Sequence, residues 1–126
     1  MSSFSNDIKN TPGGVNLRNC FLCGSCTACC PVNEIDDEYN PRKMMRLLLL
    51  DNEDVLKSDE IWKCNQCHAC VAHCPQDVRF ADVVRSLRQE AIEKGYRKKE
   101  LLDSVLKYDA ELRKERLAKV KQALGK

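Results

Sequence analysis

A chain of 126 residues, 43% hydrophobic and 32% charged, carries material for one modest domain and little spare apolar surface for a core. The formal charge of +2 counts nine cysteines as neutral thiols, and the longest leucine run, Leu47 to Leu50, falls far short of the ~20 residues of a membrane span. Met1 to Asn19 holds no apolar stretch of the secretory type, so an extracellular disulfide scaffold is set aside and a soluble, cytoplasmic protein without membrane insertion is expected.

Residues 1–14 are polar, and Pro12, Gly13 and Gly14 disfavour regular structure, which predicts a flexible tail that becomes ordered near Val15. A cysteine block follows, made of Cys20, Cys23, Cys26 and Cys30 and closed by Pro31. Steps of three, with small Gly24, Ser25 and Ala28 between, let a short loop wrap a metal centre; Pro31 then turns the chain away. After an acidic loop, Asn33 to Glu38, Asn40 and Pro41 read as an N-cap and a first helical residue. The helix runs to about Leu50, and Asp51-Asn52 end it. Met44, Leu47 and Leu48 make its inward stripe, which Leu49 and Leu50 widen, as deep burial or a partner-facing patch would require. Ser58 or Asp59 caps a short helix carrying Ile61 and Trp62 toward the next block, where Trp62 is expected to shield a metal centre.

The second block is Cys64, Cys67, Cys70 and Cys74, closed by Pro75, and each cysteine lies 44 residues after its counterpart. Downstream, Phe80, Val83, Val84, Leu87 and Ala91 keep helical spacing until Gly95, which is placed to stop the helix. The expected domain therefore spans 15–95. Residues 96–126 are rich in helix formers and read as a C-terminal helical extension. Its stripe of Leu101, Val105, Tyr108 and Leu112 slips before Leu117, Val120 and Leu124, and either folds back or contacts another protein. Lys114, Arg116, Lys119 and Lys121 read most simply as a solvated face. The fold class expected is all-α.

Both blocks read C-x2-C-x2-C-x3-C-P, the run with which bacterial-type ferredoxins hold iron-sulfur clusters. Zinc knuckles instead pair two C-x2-C units across a gap, so the spacing favours iron-sulfur over zinc. The expected metal ligands are Cys20, Cys23, Cys26, Cys30, Cys64, Cys67, Cys70 and Cys74, holding two 4Fe-4S clusters. With four thiolates each, two such clusters turn the formal +2 into about −2, which removes net charge as an argument for nucleic-acid binding. Cys29, His68 and His73 have no ligand vacancy to fill. The five glycines are too scattered for a phosphate-cradling loop, and a fully ligated cubane leaves no open iron, so no catalytic residue is assigned and the domain is expected to carry electrons. A zinc-binding adaptor with a basic C-terminal helix is the alternative from a different class, and a free-standing ferredoxin is a third.

The two blocks, with Tyr39-Asn40-Pro41-Arg42-Lys43 before the leucine run and Ile61-Trp62-Lys63 entering the second block, resemble the C subunit of heterodisulfide reductase and its relatives over roughly Leu17 to Gly95. The cysteine blocks taken alone are also similar to those of the iron-sulfur subunits of fumarate reductase and anaerobic glycerol-3-phosphate dehydrogenase. The resemblance implies an alpha-helical ferredoxin fold whose two 4Fe-4S clusters relay electrons between an A subunit, which contains flavin, and a B subunit, which is disulfide-active. The family's substrate is the mixed disulfide of coenzyme M and coenzyme B, or another sulfur compound in sulfur-oxidising relatives. This chain shows neither a flavin site nor the cysteine-rich motifs of the disulfide-active partner. In two-cluster ferredoxins the fourth cysteine of each block ligates the other cluster. Carried to this chain, that implies one cluster on Cys20, Cys23, Cys26 and Cys74 and another on Cys64, Cys67, Cys70 and Cys30.

Overall fold

Proline starts two of the helices of this chain, asparagine caps one of these, and a glycine follows the helix after the second block. The computed structural model describes residues 4–11 and 14–125. Eight α-helices and no strand occur among them, and the chain divides into two units, Met1–Tyr96 and Arg97–Lys126.

In the first unit, helix α4 (Pro41–Leu49) begins as its residues dictate. Asn40 is extended, its side-chain oxygen accepts the Lys43 N–H at 3.1 Å, and Pro41 occupies the first helical position, where a missing N–H costs nothing. The buried face of α4 is Pro41, Met44, Met45 and Leu48; Leu47 is half-buried and Leu50 exposed, so the leucine run turns outward at its end. Helix α7 (Phe80–Glu93) buries Phe80, Val83, Val84, Leu87 and Ala91, as its spacing predicts. It stops at Gly95, whose φ of +79° lets Gly95 N–H reach Ile92 O at 3.1 Å and Tyr96 N–H reach Ala91 O at 3.0 Å. This pair of bonds is the Schellman closure, and it satisfies carbonyls that would otherwise be orphaned at the helix end.

Short elements carry the chain between these two helices: α2 (Ser25–Ala28), α3 (Pro31–Ile35), α5 (Asp54–Lys57) and α6 (Ala69–His73), with 3-10 turns at Leu17–Asn19 and Glu60–Trp62. The acidic stretch read as a loop is partly helical, because Pro31 starts α3 with Cys30 as its cap. The pieces α5 and α7 lie against each other, as do α2 and α6. Leu17, Leu48, Leu56, Ile61 and Leu87 are fully buried at the centre.

The N-terminal tail is corrected in part. Phe4–Lys9 form helix α1 and Ile8 is completely buried in the same core. Thr11 closes the end of α1, its Oγ1 donating to Ile8 O at 2.6 Å and lying 2.8 Å from Ser86 Oγ on α7. Ile8 is buried where α1 lies against α7, which anchors this largely polar stretch. Pro12 and Gly13, on which the flexible reading also rested, lie outside the described residues.

The second unit contains α8 (Lys99–Ala123), which starts a little later than Tyr96 and buries none of its residues within the described structure. Leu106, Tyr108, Leu112, Leu117 and Leu124 are exposed. Among the described residues no helix is long and apolar enough to cross a membrane.

Gly14 sits where any side chain would collide with the backbone carbonyl of Ile8. Gly14→Ala should therefore lift α1 from α7 and lower the stability of the metal-loaded protein by about 1–3 kcal/mol, the usual cost of overpacking. Thermal unfolding checks this, and an unchanged transition would contradict the placement of α1.

Candidate metal centre

The two cysteine blocks share a backbone as well as a spacing. In the first, Leu22 and Gly24 adopt positive φ values of 58° and 86° before α2; in the second, Gln66 and His68 adopt 57° and 63° before α6. The fourth cysteines also match, Cys30 at φ −76°, ψ 119° and Cys74 at φ −72°, ψ 118°. A left-handed residue two places after the first cysteine folds the loop back on that cysteine's sulfur. Leu22 N–H donates to Cys20 Sγ at 3.4 Å and Gln66 N–H to Cys64 Sγ at 3.4 Å. Val78 N–H does the same for Cys74 at 3.4 Å. Such donors favour the thiolate form, which is the form that binds metal.

Two hollows lie among these loops. Cys20, Cys23, Cys26 and Cys74 border the first, together with Cys70 and the apolar Met45, Val78 and Phe80. Cys30, Cys64, Cys67 and Cys70 border the second, together with Val32, Tyr39 and Phe80. Cys70 and Phe80 thus belong to both walls. Each hollow receives the fourth cysteine of the opposite block, because α2 and α6 lie side by side.

Among the described residues no three His, Cys, Asp or Glu converge tightly enough for a single metal ion; the thiols instead stand around the hollows. Soft sulfur donors with N–H groups aimed at them, in an apolar setting, fit an iron-sulfur cluster. Burial pushes the Cys26 thiol up to about 11 and the Cys70 thiol up to about 12. Burial also raises Cys20, with repulsion from Cys74 and Cys23 adding to it. Exposed Cys23 goes the other way, held down by hydrogen bonding to Ser25. Cationic iron must therefore displace protons from the inner thiols on binding.

The segment Tyr39 to Lys43 has a structural role at both hollows. Tyr39 is buried against the second, and its phenol is raised above the ordinary range by burial and by Cys64, Cys30 and Cys70, so it stays an O–H donor. Asn40 accepts from Thr27 Oγ1 at 3.1 Å, Thr27 Oγ1 accepts Arg42 N–H at 2.9 Å, and Arg42 Nε donates to Leu22 O at 2.7 Å. These bonds fasten the start of α4 to the first block. Cys29 is half-buried, its thiol 3.5 Å from Cys26 O, and borders neither hollow. His68 is exposed at the edge of the second hollow and His73 is exposed. Trp62 does not shield the second hollow as expected; it packs 5.7 Å from the Arg88 guanidinium, behind the Cys64 loop. Sequence reasoning missed Arg88, which the stripe of α7 could have revealed as a charged residue on the face of Val84, Leu87 and Ala91.

His68 holds the left-handed position that Gly24 holds in the first block. An L-residue there costs about 1–2 kcal/mol. His68→Gly should keep full iron content and raise the unfolding midpoint by up to the equivalent of ~1 kcal/mol, since glycine also loosens the unfolded chain. Loss of stability on calorimetry would contradict the loop geometry.

Comparison with known proteins agrees with this centre. The chain is 40% identical over 80 residues to the C2 subunit of the H2/formate:CoB-CoM heterodisulfide, ferredoxin reductase of Methanococcus maripaludis, a match covering 64% of this chain and 43% of that protein. It is likewise 40% identical over 80 residues to the second iron-sulfur C subunit of the CoB–CoM heterodisulfide reductase of Methanocaldococcus jannaschii, covering 64% and 42%. Against the C subunit of the H2:CoB-CoM heterodisulfide, ferredoxin reductase of Methanothermobacter marburgensis it is 37% identical over 94 residues, covering 74% and 50%. The matched part of the chain thus spans half or less of the length of these relatives. A family model described as a 4Fe-4S dicluster domain matches residues 16–78, which contain both cysteine blocks. Eight paired thiols around two hollows, and a family match across all of them, make two 4Fe-4S clusters the cofactors, in place of zinc. The chain belongs to the 4Fe-4S dicluster domain family, alongside the C subunits of the heterodisulfide reductases.

Proposed function

We propose that this chain is the electron-relay subunit of a heterodisulfide reductase-type complex, passing electrons between the flavin-containing and the disulfide-active subunits of that complex. The similarity to iron-sulfur C subunits supports the kind of complex. In this reading Cys20, Cys23, Cys26 and Cys74 hold one cluster and Cys64, Cys67, Cys70 and Cys30 hold the other. The observation that carries it is that each thiol-lined hollow draws its fourth cysteine from the opposite block.

When bound, each cluster supplies a site that takes up and gives back one electron. The residues of the chain set the conditions for that exchange. The eight thiolates would hold the clusters and, with four to each, would leave no iron position for substrate. N–H groups of Leu22, Gln66 and Val78 stabilise sulfur charge without transferring a proton. Phe80, buried and shared by both walls, would exclude water from the two sites. Cys23 and Cys67 are the exposed thiols of the two blocks and give the relay its contact with the outside. Cytoplasmic location and the coenzyme M–coenzyme B disulfide as the complex's substrate belong to this same proposal.

Replacing Cys74 with Ser should damage the cluster of Cys20, Cys23 and Cys26, and replacing Cys30 with Ser should damage that of Cys64, Cys67 and Cys70. Mössbauer and EPR spectra of the loaded variants check this; loss confined to the mutated block's own cluster would defeat the crossed assignment. Anaerobic pull-down tests the complex: co-purification of a flavoprotein supports the relay, and a chain that isolates alone while exchanging electrons with several unrelated enzymes would point to a free-standing ferredoxin.

A further inference from the structure

One left-handed residue of each block is matched in backbone and mismatched in side chain. Leu22 and Gln66 lie 44 residues apart, at φ 58° and 57°, and each sends its N–H to the sulfur of its block's first cysteine at 3.4 Å. The leucine side chain adds no donor. Gln66 adds one, because its Nε2 reaches the same Cys64 Sγ at 3.5 Å and also Ala81 O on α7 at 3.1 Å. A carbonyl and a thiolate both accept, so the nitrogen of the amide and not its oxygen faces them, and the bond to α7 holds it there.

A further donor comes from the segment before α4. Tyr39 is 1% exposed and borders the second hollow together with Cys64. Its backbone is fixed on both sides, the N–H by Asp36 O at 3.1 Å and the carbonyl by Asn33 Nδ2 at 2.7 Å, and its phenol interacts with the Cys64 thiol. Tyr39 stands two residues before the start of α4. The residue two before the start of α7 is Val78, which borders the first hollow and has no side-chain donor. The hydroxyls of the first block are placed differently. Ser25 Oγ lies 3.4 Å from Cys23 Sγ, but that thiol is exposed and water competes for it, whereas Cys64 is half-buried. Thr27 Oγ1 directs its proton to Asn40 Oδ1 at 3.1 Å. Away from water a hydrogen bond is electrostatically stronger, so the donors on Cys64 carry more weight.

We propose that Gln66 and Tyr39 are positioning residues whose side chains converge on the Cys64 sulfur and raise the reduction potential of the second block's cluster. The inference rests on the two-cluster reading given above. The step is a one-electron reduction with no atom transferred, the electron coming in the test from dithionite. The added negative charge is shared by the thiolate sulfurs, where N–H and O–H donors stabilise it, so each donor favours the reduced form.

The test is an anaerobic, EPR-monitored dithionite titration of the full, cluster-loaded chain, with iron and sulfide assayed in every sample. Cys67→Ser and Cys23→Ser assign the two signals, since these cysteines belong to their own blocks whether or not the fourth ligands cross. Gln66→Leu, which installs the first block's residue, should weaken reduction of the second block's cluster about tenfold, about 59 mV for a one-electron couple, and leave the other couple in place. Tyr39→Phe should move the same couple in the same direction. Resonance Raman gives a second readout: loading in D2O should shift the iron–thiolate stretches of the unaltered chain more than those of Gln66→Leu. An unmoved potential in either iron-replete variant, an equal shift of both couples, or an undiminished deuterium shift in Gln66→Leu would each overturn the proposal. Should Gln66→Leu fail to load, Tyr39→Phe, which removes one oxygen and keeps the ring, decides it by the same titration. An unaltered chain without iron and sulfide would instead overturn the two-cluster reading itself.

Discussion

The side-by-side packing of α2 and α6 is the constraint on which the rest of the first unit depends. Each of these helices is a short turn that carries the third cysteine of its block and ends before the fourth, and each contains small residues such as Ala28, Ala69 and Ala72 that allow close approach. Setting them together carries Cys30 to the hollow of the second block and Cys74 to that of the first. A unit this small has little core to hold it, and cross-links through metal serve where apolar burial is scarce. The helices α4 and α7 then act as struts: Asn40 and Arg42 tie one to the first loop, and Arg88 ties the other to the second.

The loops themselves are locally unfavourable. Leu22, Gln66 and His68 all hold left-handed backbone, which L-residues resist. The return is that N–H groups turn toward sulfur at matching places in both blocks. Strain of this kind persists only where the surroundings over-determine it. In the proposed ligation the metal–thiolate bonds supply that determination, so cofactor and fold become one equilibrium. The left-handed geometry at 22 and 66, and at 24 and 68, also shows that the duplication extends beyond the cysteines to the conformation between them.

Much of this was legible in the residues. The cysteine spacing specifies the metal, Asn40-Pro41 specifies where α4 begins, and Gly95 specifies where α7 ends, because each of these is a local rule with one strong solution. What escaped were the features decided by tertiary context. Ile8 looks inconsequential in a polar stretch until α7 offers it a surface. Trp62 is read as a shield from its neighbour Cys64, but its ring faces Arg88, twenty-six residues away in sequence. A buried arginine breaks the hydrophobic pattern that predicts burial, and it becomes intelligible only when Ile61 O and Cys64 O are seen to accept from it. The diagnostic weight of Tyr39 to Lys43 also finds its physical meaning in the structure: one buried phenol at the second hollow and one hydrogen-bonded anchor at the first.

In the proposed ligation the two blocks form a single object, stapled by thiols that exchange partners. The most direct measurement is a crystal structure of the anaerobically loaded chain with clusters placed by iron anomalous scattering. The account predicts Cys74 sulfur bonded to the cluster held by Cys20, Cys23 and Cys26, and Cys30 sulfur bonded to the cluster held by Cys64, Cys67 and Cys70. Four bonds from one block to one cluster, with Cys30 and Cys74 each remaining on its own side, would contradict it.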